Sequence, residues 1–314
     1  MAISAEQRKT VKGQGFLSNK NQNHFSARII TGNGVLTGHQ IKCLGDAAEQ
    51  FGNGQVTFTS RMTVELPGIA FEDIESFQAY IAQADLKTGG TGAKVRPVVA
   101  CKGTVCVFGN LDTQAFAMEI HKRFFEGYST VALPHKFKIA VGGCPNNCVK
   151  PDLNDVGVIG QRVPELDPGL CRGCARCAVE DGCPMKACTV QDGVLVIDRI
   201  RCNNCGICTG KCPFSAVKTA LMGCKVTIGG RWGKDIRIGT PLGGIYSEEQ
   251  TLDLIEKTIL LFKEQGLPGE RLSTMVERLG RQETEQALMG PALLERKQKI
   301  LNHKATEGDA HVTC

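Results

Sequence analysis

The sequence has few aromatic residues and no long apolar run. Its 314 residues include one Trp and three Tyr, too few for the stacking platform that binds single-stranded nucleic acid. No apolar run approaches the roughly 20 residues of a membrane-spanning helix, and the chain does not begin with a basic, apolar leader of the kind that directs secretion. From these absences we expect a cytoplasmic protein that contacts neither membrane nor nucleic acid.

Strong charge of one sign is also absent. The net charge of +5 is too weak to indicate nucleic-acid binding, although it is compatible with anionic ligands. A chain of this length buries about three quarters of its unfolded surface and needs no disulfides. The cysteines are therefore available for metal, in a reducing compartment where thiols stay free.

Cysteine itself is abundant. The sequence contains sixteen, of which twelve fall into three groups of four. The groups are Cys101/Cys106/Cys144/Cys148, Cys171/Cys174/Cys177/Cys183 and Cys202/Cys205/Cys208/Cys212. A cubane iron–sulfur cluster takes four thiolate ligands, so the count predicts three clusters and a protein that moves electrons. Structural zinc ions would also suit four cysteines, and two unrelated pairs of structural cysteines would explain the first group, which is split along the chain.

Residues 171–213 contain two runs built alike, CRGCARCAVEDGCP and CNNCGICTGKCP. The second has the spacing of bacterial ferredoxins, in which the fourth Cys ligates the other cluster. The inferred ligand sets are Cys171/Cys174/Cys177/Cys212 and Cys202/Cys205/Cys208/Cys183. The first run carries five residues, not three, before its last Cys, which loosens a loop without removing a ligand. The third Cys of each triple and the trailing Pro favour a ferredoxin over zinc.

The remaining cysteines have no cluster to join. Cys43 lies in a predicted helix, and Cys188 follows the ferredoxin turn, where a small apolar residue is expected. Cys224 and Cys314 stand alone in the sequence. The six histidines form no recognisable metal set.

Outside the cysteine runs, strands and helices alternate, which predicts an α+β fold with mixed α/β sheets. Thr37 and Gln40 form a capping-box pattern before a helix that ends at the glycines 52 and 54. Apolar periodicity predicts further helices over 71–85, 112–125 and 247–266. It predicts strands over 56–61, 95–100, 137–141 and 193–201, with Arg61 on the more polar face of the first.

The split cysteine group and its flanks resemble the sirohaem-dependent sulfite and nitrite reductase family. The similarity rests on ACKGTVCVFGN from residue 100, VGGCPNNCVKPDLNDVG from residue 141 and GFLSNKNQNHFSARIITGNG from residue 15. It spans most of residues 14–160 and resumes at about 223. The family usually has five residues between the first two cysteines of this group, and this chain has four.

This resemblance implies a sulfite/nitrite reductase fold with an inserted bacterial-type ferredoxin domain. Residues 1–85 would form an N-terminal ferredoxin-like half-domain, 86–160 with 223–314 the reductase domain, and 161–222 the inserted module. In the family the last Cys of the split group, here Cys148, bridges a [4Fe-4S] cluster to the sirohaem iron. The cofactors implied are sirohaem and three [4Fe-4S] clusters.

Candidate anion-binding residues also follow from the resemblance. In the family, two lysines beside the split group and two arginines from the N-terminal strands bind the substrate oxyanion. By motif matching these are Lys136 and Lys138, which share one face of a predicted strand, together with Arg28 and Arg61. Each cation at about 4 Å contributes on the order of 4 kcal/mol at an effective dielectric near 20, and the lysines can also supply protons.

Further cations are expected around sirohaem, which carries eight carboxylates. The candidates for binding the cofactor are Arg96, Arg231, Lys234 and Asn146 of the Cys-Pro-Asn-Asn-Cys turn.

The function that the resemblance implies is six-electron reduction of sulfite to sulfide, as in the small anaerobic, assimilatory-type members with their own ferredoxin module. Electrons would come from a donor protein or donor subunit. A homodimer or higher homo-oligomer is expected, because larger members contain the reductase repeat twice and this chain has it once. Nitrite reduction to ammonia, a dissimilatory-type reductase and a pure electron-transfer subunit remain open as alternatives.

Overall fold

The structure, a computed structural model, describes residues 3–20 and 23–302; Cys314 lies outside this part. The chain divides into two compact units. Unit 1 is built from residues up to 99, 117–139 and from 256 on, and unit 2 from 100–116 and 140–255. Within the described residues, no helix is long and apolar enough to cross a membrane.

Unit 1 begins with a four-stranded antiparallel sheet and three helices. In chain order these are α1 (Ala5–Gly13), β1 (Phe16–Ser18), β2 (His24–Ile29), α2 (Gly38–Phe51), β3 (Thr57–Phe58), β4 (Val64–Ala70) and α3 (Ile74–Ala82). The strand order is β1-β2-β4-β3. The buried side chains of the sheet and helices, among them Phe16, Phe25 and Phe77, form one core.

Two helices in this part begin and pack as the sequence predicts. At the start of α2, the Thr37 hydroxyl accepts the Gln40 N–H and the Gln40 side chain accepts the Thr37 N–H, so both halves of the capping box form. On α3, the predicted apolar face of Ile74, Phe77 and Ile81 is buried.

The strand predicted over 56–61 is much shorter in the structure. β3 covers two residues, and Phe58 is 76 % exposed instead of facing a core. The chain then turns, because the Thr59 N–H donates to the Thr63 carbonyl and the two threonine hydroxyls lie 2.7 Å apart. Arg61 therefore lies in a tight turn and not on a strand face. Alternation of apolar and polar residues does not reveal such a turn.

Unit 2 is built on a five-stranded sheet and a small hairpin. The elements that follow α3 are β5 (Val99–Ala100), α4 (Thr113–Ile120), β6 (Ile139–Gly142), β7 (Val156–Leu166), α5 (Ala178–Asp181), β8 (Cys188–Gln191), β9 (Val194–Ile197), β10 (Val217–Ile228) and β11 (Thr240–Pro241). The sheet order is β11-β10-β7-β6-β5, and β8 pairs with β9. From residue 117 on, the helix that begins with α4 belongs to unit 1, where it continues after α4 in the wider π form over His121–Glu126.

Three predicted strands are shorter in the structure. In 95–100 only β5 is a strand, because Pro97 has no N–H to donate, and Val95 forms one isolated bridge with Phe137. The strand predicted over 137–141 is regular only from Ile139. The one predicted over 193–201 ends at Ile197, since the Asp198 carboxylate accepts the N–H groups of the next turn.

The two cysteine runs lie between β7 and β10. These strands pair antiparallel along their full length, from Leu166 opposite Val217 to Val156 opposite Ile228. Both ends of the intervening segment are thus held side by side, and the segment has its own small core, which includes Val179 and Leu195. The domain boundaries expected from the sequence stay predictions.

The C-terminal part is helical. It contains α6 (Glu248–Gln265), α7 (Leu272–Leu279), α8 (Arg281–Met289), α9 (Ala292–Glu295) and α10 (Lys297–Asn302). The helix predicted over 247–266 is confirmed, and Ser247 with Gln250 caps its start. Sheets and helices thus form the expected α+β fold with mixed sheets.

Candidate metal and anion sites

In unit 2, the split cysteine group is drawn together from two turns. Cys101 follows β5 and Cys144 follows β6, and the Gly143 N–H donates to the Cys101 sulfur at 3.1 Å. The turns touch at two glycines, because a Cβ on Gly103 would stand 3.0 Å from the Gly143 Cα. Only glycine allows this approach.

The other three thiols of this group lie close enough to Cys144 to affect its pKa. Burial first, and then nearby Cys101, Cys148 and Cys106, raise the pKa of Cys144, while the Asn146 N–H lowers it by donating to the sulfur. Cys148 is exposed, whereas the other three are half-buried. A thiol such as Cys144, whose ionisation burial and neighbouring thiols disfavour, gains from a bound cation, because the metal charge stabilises its thiolate.

The Cys-Pro-Asn-Asn-Cys turn is fixed by two residues in the left-handed region. Asn147 has φ +60° and Lys150 φ +49°, and asparagine tolerates this conformation better than most residues. The Asn147 N–H donates to the Cys144 carbonyl, and the Lys150 N–H donates to the Asn147 carbonyl. This turn returns Cys148 towards Cys144.

The second ferredoxin-like run gathers with the last cysteine of the first run. Burial first raises the pKa of Cys205, and the neighbouring thiols of Cys208, Cys202 and Cys183 raise it further. The same four residues are the set inferred from the ferredoxin spacing. The Cys183 sulfur also accepts the Ala187 N–H at 3.3 Å, and such N–H to sulfur bonds tune the potentials of iron–sulfur clusters.

The other ferredoxin-like set, Cys171/Cys174/Cys177/Cys212, shows fewer contacts among its members. Cys171, Cys177 and Cys212 are half-buried against the core of the module. N–H groups of Gly173 and Leu195 lower the pKa of Cys171, so its sulfur is in a suitable environment for a thiolate. That these residues and Cys174 form one ligand set stays a prediction.

A fifth thiol lies beside Cys183 and Cys208. Cys188, at the start of β8, is 3 % exposed. Its hydrogen bond lowers the pKa of Cys208 to about 7, and the same bond, with burial and Cys183, raises the pKa of Cys188. The sequence interpretation, a small apolar residue without a cluster to join, missed this contact. The position of Cys188 shortly after Cys183-Pro184 was its only signal.

Within residues 3–20 and 23–302, no three His, Cys, Asp or Glu side chains are grouped as the ligands of a single metal ion.

In unit 1, two of the candidate arginines meet at one carbonyl. The Nη1 atoms of Arg28 and Arg96 lie 3.3 Å and 2.5 Å from the Gly90 oxygen and donate to it. Gly90 has φ +70°, and a Cβ there would stand 2.8 Å from Pro97, so the loop that offers this carbonyl requires glycine.

Arg28 also has a carboxylate partner. Its Nε and Nη2 donate to Glu65 Oε1 at 2.8 Å and 2.7 Å, and the two residues face each other across β2 and β4. The sequence interpretation of Arg28 as an oxyanion ligand did not include this carboxylate, which competes for the same guanidinium group.

Arg96 is buried among positive charges. It is 6 % exposed, and its Nε has no hydrogen-bond partner among the described residues. Burial first, and then the charges of Arg28 and Arg271, lower the pKa of Arg96 to about 10. A buried cation in a positive field favours an anion beside it. Arg271, which precedes α7, carried no signal in the sequence.

The remaining oxyanion candidates approach the same part of unit 1. The Arg61 Nη2 donates to the carbonyls of Pro97 and Ile139, at 2.8 Å and 3.4 Å, next to Arg96 and Lys138. Phe137 is fully buried and packs on Phe262, whereas Lys136 and Lys138, its neighbours along the chain, are half-buried.

Arg231 and Lys234 lie elsewhere, in an exposed hairpin of unit 2. Arg231 pairs with Asp235 at 3.2 Å, and its backbone exchanges two hydrogen bonds with Arg237. Trp232 in the same hairpin lies under the Lys150 ammonium group, 5.5 Å from the ring centroid. The expected role of both residues in cofactor binding stays a prediction.

Comparison with protein families gives two matches. Residues 18–84 match the nitrite/sulfite reductase ferredoxin-like half domain, and residues 91–292 match the nitrite and sulphite reductase 4Fe-4S domain. Both matches lie on the parts of the chain that carry the arginines and the cysteines.

Several characterised proteins are similar in sequence. The coenzyme F420-dependent sulfite reductase of Methanocaldococcus jannaschii is 32 % identical over 77 % of this chain, which spans 38 % of that protein. One of the anaerobic sulfite reductase subunits of Salmonella typhimurium is 30 % identical over 46 % of this chain and 45 % of its own length. The chain thus spans less than half of either relative.

Two solved structures share the fold. Dissimilatory sulfite reductase I superposes on 94 % of this chain and 74 % of its own, with a TM-score of 0.70 and 20 % identity. The Mycobacterium tuberculosis NirA protein covers 93 % of this chain and 47 % of its own, with a TM-score of 0.66 and 15 % identity.

Proposed function

The chain belongs to the nitrite and sulphite reductase 4Fe-4S domain family, and we propose that it reduces sulfite to sulfide with sirohaem. In this reaction sulfite takes up six electrons and six protons, and its three oxygens leave as water. The matched domain belongs to a family of oxidoreductases. The similarity of the chain to two sulfite reductases supports sulfite as the substrate.

One observation carries the proposal more than any other. Of the four thiols of the split group, Cys148 alone is exposed, while it still acts on Cys144. A thiolate that belongs to a cluster and also faces outwards can bind a second metal centre. We assign Cys101, Cys106, Cys144 and Cys148 to a [4Fe-4S] cluster, with Cys148 shared with the sirohaem iron. When bound, the cluster and sirohaem would supply the electrons for reduction of the substrate.

The cations of unit 1 have the charge that the substrate requires. Arg28, Arg61, Lys136 and Lys138 would bind the sulfite oxygens and stabilise the negative charge that develops on them. The lysine ammonium groups can donate protons as water leaves. Arg96, Arg231, Lys234 and the Asn146 amide would bind cofactor carboxylates, for which buried Arg96 has the most suitable surroundings.

The ferredoxin-like module would hold the two other [4Fe-4S] clusters, on the crossed sets of its two cysteine runs. Its electrons would come from a donor protein or donor subunit in the reducing cytoplasm. We also propose a homodimer or higher homo-oligomer, in which a second copy replaces the missing reductase repeat; light scattering that gives a monomer would contradict this.

An activity and absorbance experiment tests the proposal. Purified protein, reduced by a viologen dye, is given sulfite or nitrite, and sulfide and ammonia are measured. We expect a sirohaem absorption band and stoichiometric sulfide. Ammonia as the better product would identify a nitrite reductase, and iron–sulfur absorbance without a sirohaem band would identify an electron-transfer subunit.

A further inference from the structure

One buried asparagine connects three cysteine-bearing loops of unit 2. Asn110 is 8 % exposed, and the residue before it, Gly109, donates its N–H to the Cys106 carbonyl. The Asn110 N–H donates to the carbonyl of Gly143, next to Cys144, at 2.8 Å. Its side-chain Nδ2 donates to the Cys205 carbonyl at 3.1 Å. Asn110 thus contacts both the split group and the second run of the module.

The loop of Cys205 is seated by a second set of contacts. The Arg162 N–H on β7 donates to the Asn204 carbonyl at 2.9 Å, and Arg162 forms a bridge with Cys205. Gly206 has φ +72°, and a Cβ there would stand 2.5 Å from the Arg162 Cδ. The loop therefore fits β7 only with glycine at this position.

A cavity also joins the two cysteine regions. It has a volume of about 540 Å³, and its lining includes Pro145 and Asn147 of the split group together with Cys202 and Asn204 of the second run. A cavity of this volume, with polar side chains such as Asn147 and Asn204 in its wall, has room for water molecules.

The first run makes its contacts inside the module. The Cys171 sulfur accepts the Leu195 N–H at 3.4 Å, and Gly173 packs so closely on Gly193 that a Cβ would stand 2.1 Å from its carbonyl. Both partners belong to the β8–β9 hairpin or its turn. The two runs, which look alike in sequence, thus have different neighbours.

From this difference we propose that Asn110 is a positioning residue, whose hydrogen bond to Cys205 holds the set Cys183/Cys202/Cys205/Cys208 next to the split group. The inference rests on the proposed assignment of clusters to these cysteines. This placement gives an order of electron transfer. The electron comes originally from the donor protein and passes from the cluster on Cys183/Cys202/Cys205/Cys208 to the cluster of the split group. The first cluster is oxidised by one electron as the second is reduced by one. The set with Cys171 is then the one nearer the donor.

The test measures magnetic interaction between reduced clusters by EPR, in protein reduced with dithionite and without sulfite. In Cys174→Ser, which removes the first-run cluster, we expect about one third less iron and a retained interaction between the two remaining clusters. In Cys205→Ser we expect no interaction. The opposite pattern would overturn the proposed order.

Asn110 is then substituted in the Cys174→Ser background. Asn110→Asp keeps the shape but places a carboxylate oxygen against the Cys205 carbonyl, and Asn110→Ala only removes the donor. For the alanine variant we expect the ratio of protein with the Cys205 loop bound against β7 to protein with the loop detached to fall about fivefold, as for loss of one neutral hydrogen bond. For the aspartate variant we expect a larger fall in this ratio. The interaction in the spectrum should weaken in that order, at unchanged iron content.

The control is Arg176→Ala, because the Arg176 side chain is 94 % exposed and lies in the first run. It should leave the interaction unchanged. An unchanged interaction in Asn110→Asp, with the same iron content as the Cys174→Ser parent, would refute the role of Asn110. Protein that shows the interaction but does not reduce sulfite would refute the proposed function and leave this inference standing.

Discussion

Unit 1 and unit 2 hold groups of opposite chemical character. The oxyanion candidates and Arg96 all lie in unit 1, and all twelve grouped cysteines lie in unit 2. In unit 1 the guanidinium groups donate to backbone carbonyls, those of Gly90, Pro97 and Ile139. In unit 2 the sulfurs accept backbone N–H groups, as Cys101 and Cys183 do.

This difference shows how one peptide backbone prepares two kinds of site. Carbonyls hold Arg28, Arg61 and Arg96 in unit 1, and N–H groups hold cysteine sulfurs in unit 2. Side chains that would repel one another when charged are thus held close together in each unit. The pKa of Arg96 is lowered in the first case and that of Cys144 is raised in the second. Each set therefore gains from a bound partner of opposite charge, an anion in unit 1 and a metal cluster in unit 2.

The largest effect is expected from Cys148→Ser in unit 2. Under the proposed function, in which Cys148 serves both the cluster and sirohaem, its loss should remove both groups and abolish sulfite reduction, while the ferredoxin-type EPR signals remain. Absorbance, iron content and EPR measure this. Cys43→Ser is the matched control, since Cys43 lies on α2 of unit 1 and belongs to none of the three groups. Active haem in Cys148→Ser would show that the thiolate is not shared.

The second largest effect is expected from Arg96→Met in unit 1, and it concerns protein stability as well as cofactor affinity. In Arg96→Met, removal of a buried cation from a positive field should raise the melting temperature of cofactor-free protein, and should lower the affinity for sirohaem roughly 10- to 100-fold, as for loss of a charged hydrogen bond. Arg123→Met is the control, because Arg123 is exposed and paired with Glu119. A lower melting temperature of the cofactor-free variant would show that the hydrogen bonds of Arg96 already offset the cost of burying its charge.

The sign of the pH dependence sharpens this test. The folded protein lowers the pKa of Arg96 to about 10, well below that of a free arginine. Well below pH 10 the group is therefore charged in both the folded and unfolded states, and its burial cost is constant. The cost is relieved only as the pH rises above about 10. The stability difference between Arg96→Met and wild type should therefore be flat between pH 6 and 9 when chemical denaturation is measured.

A smaller effect is expected at the lysines. Lys136→Met and Lys138→Met should keep all cofactors, yet lower kcat/KM for sulfite by about 10- to 100-fold through loss of charge stabilisation and proton supply. Lys42→Met, at an exposed ion pair of α2, is the control. Unchanged steady-state kinetics in either variant would exclude that lysine from the site.

The smallest effect concerns Glu65. Glu65→Gln removes the carboxylate that pairs with Arg28, so sulfite should bind a fewfold more tightly, and stability should change by less than about 1 kcal/mol because the pair is partly solvated. Sulfite affinity from KM and unfolding in urea measure the two parts. Weaker binding of sulfite would mean that Glu65 orients Arg28 instead of competing for it.

Local patterns predicted the structure correctly where neighbouring residues decide the outcome. The capping box of Thr37 and Gln40 and the buried face of α3 involve residues within one or two helical turns. The strand over 56–61 failed because the turn that follows Phe58 depends on a hydroxyl pair, Thr59 and Thr63, and not on hydrophobic alternation. Pro97 shortened another strand by removing a donor.

Sequence alone was enough to identify the cysteine groups and the helices α2, α3, α4 and α6, because thiol count, spacing and periodicity are local properties of the chain. The folded structure was needed to show that Arg271 acts on Arg96, that Cys188 contacts Cys208 and that Asn110 meets Cys205. These pairs are separated by 20 to 175 positions, and the chain brings them together through packing and backbone pairing, which no sequence spacing encodes.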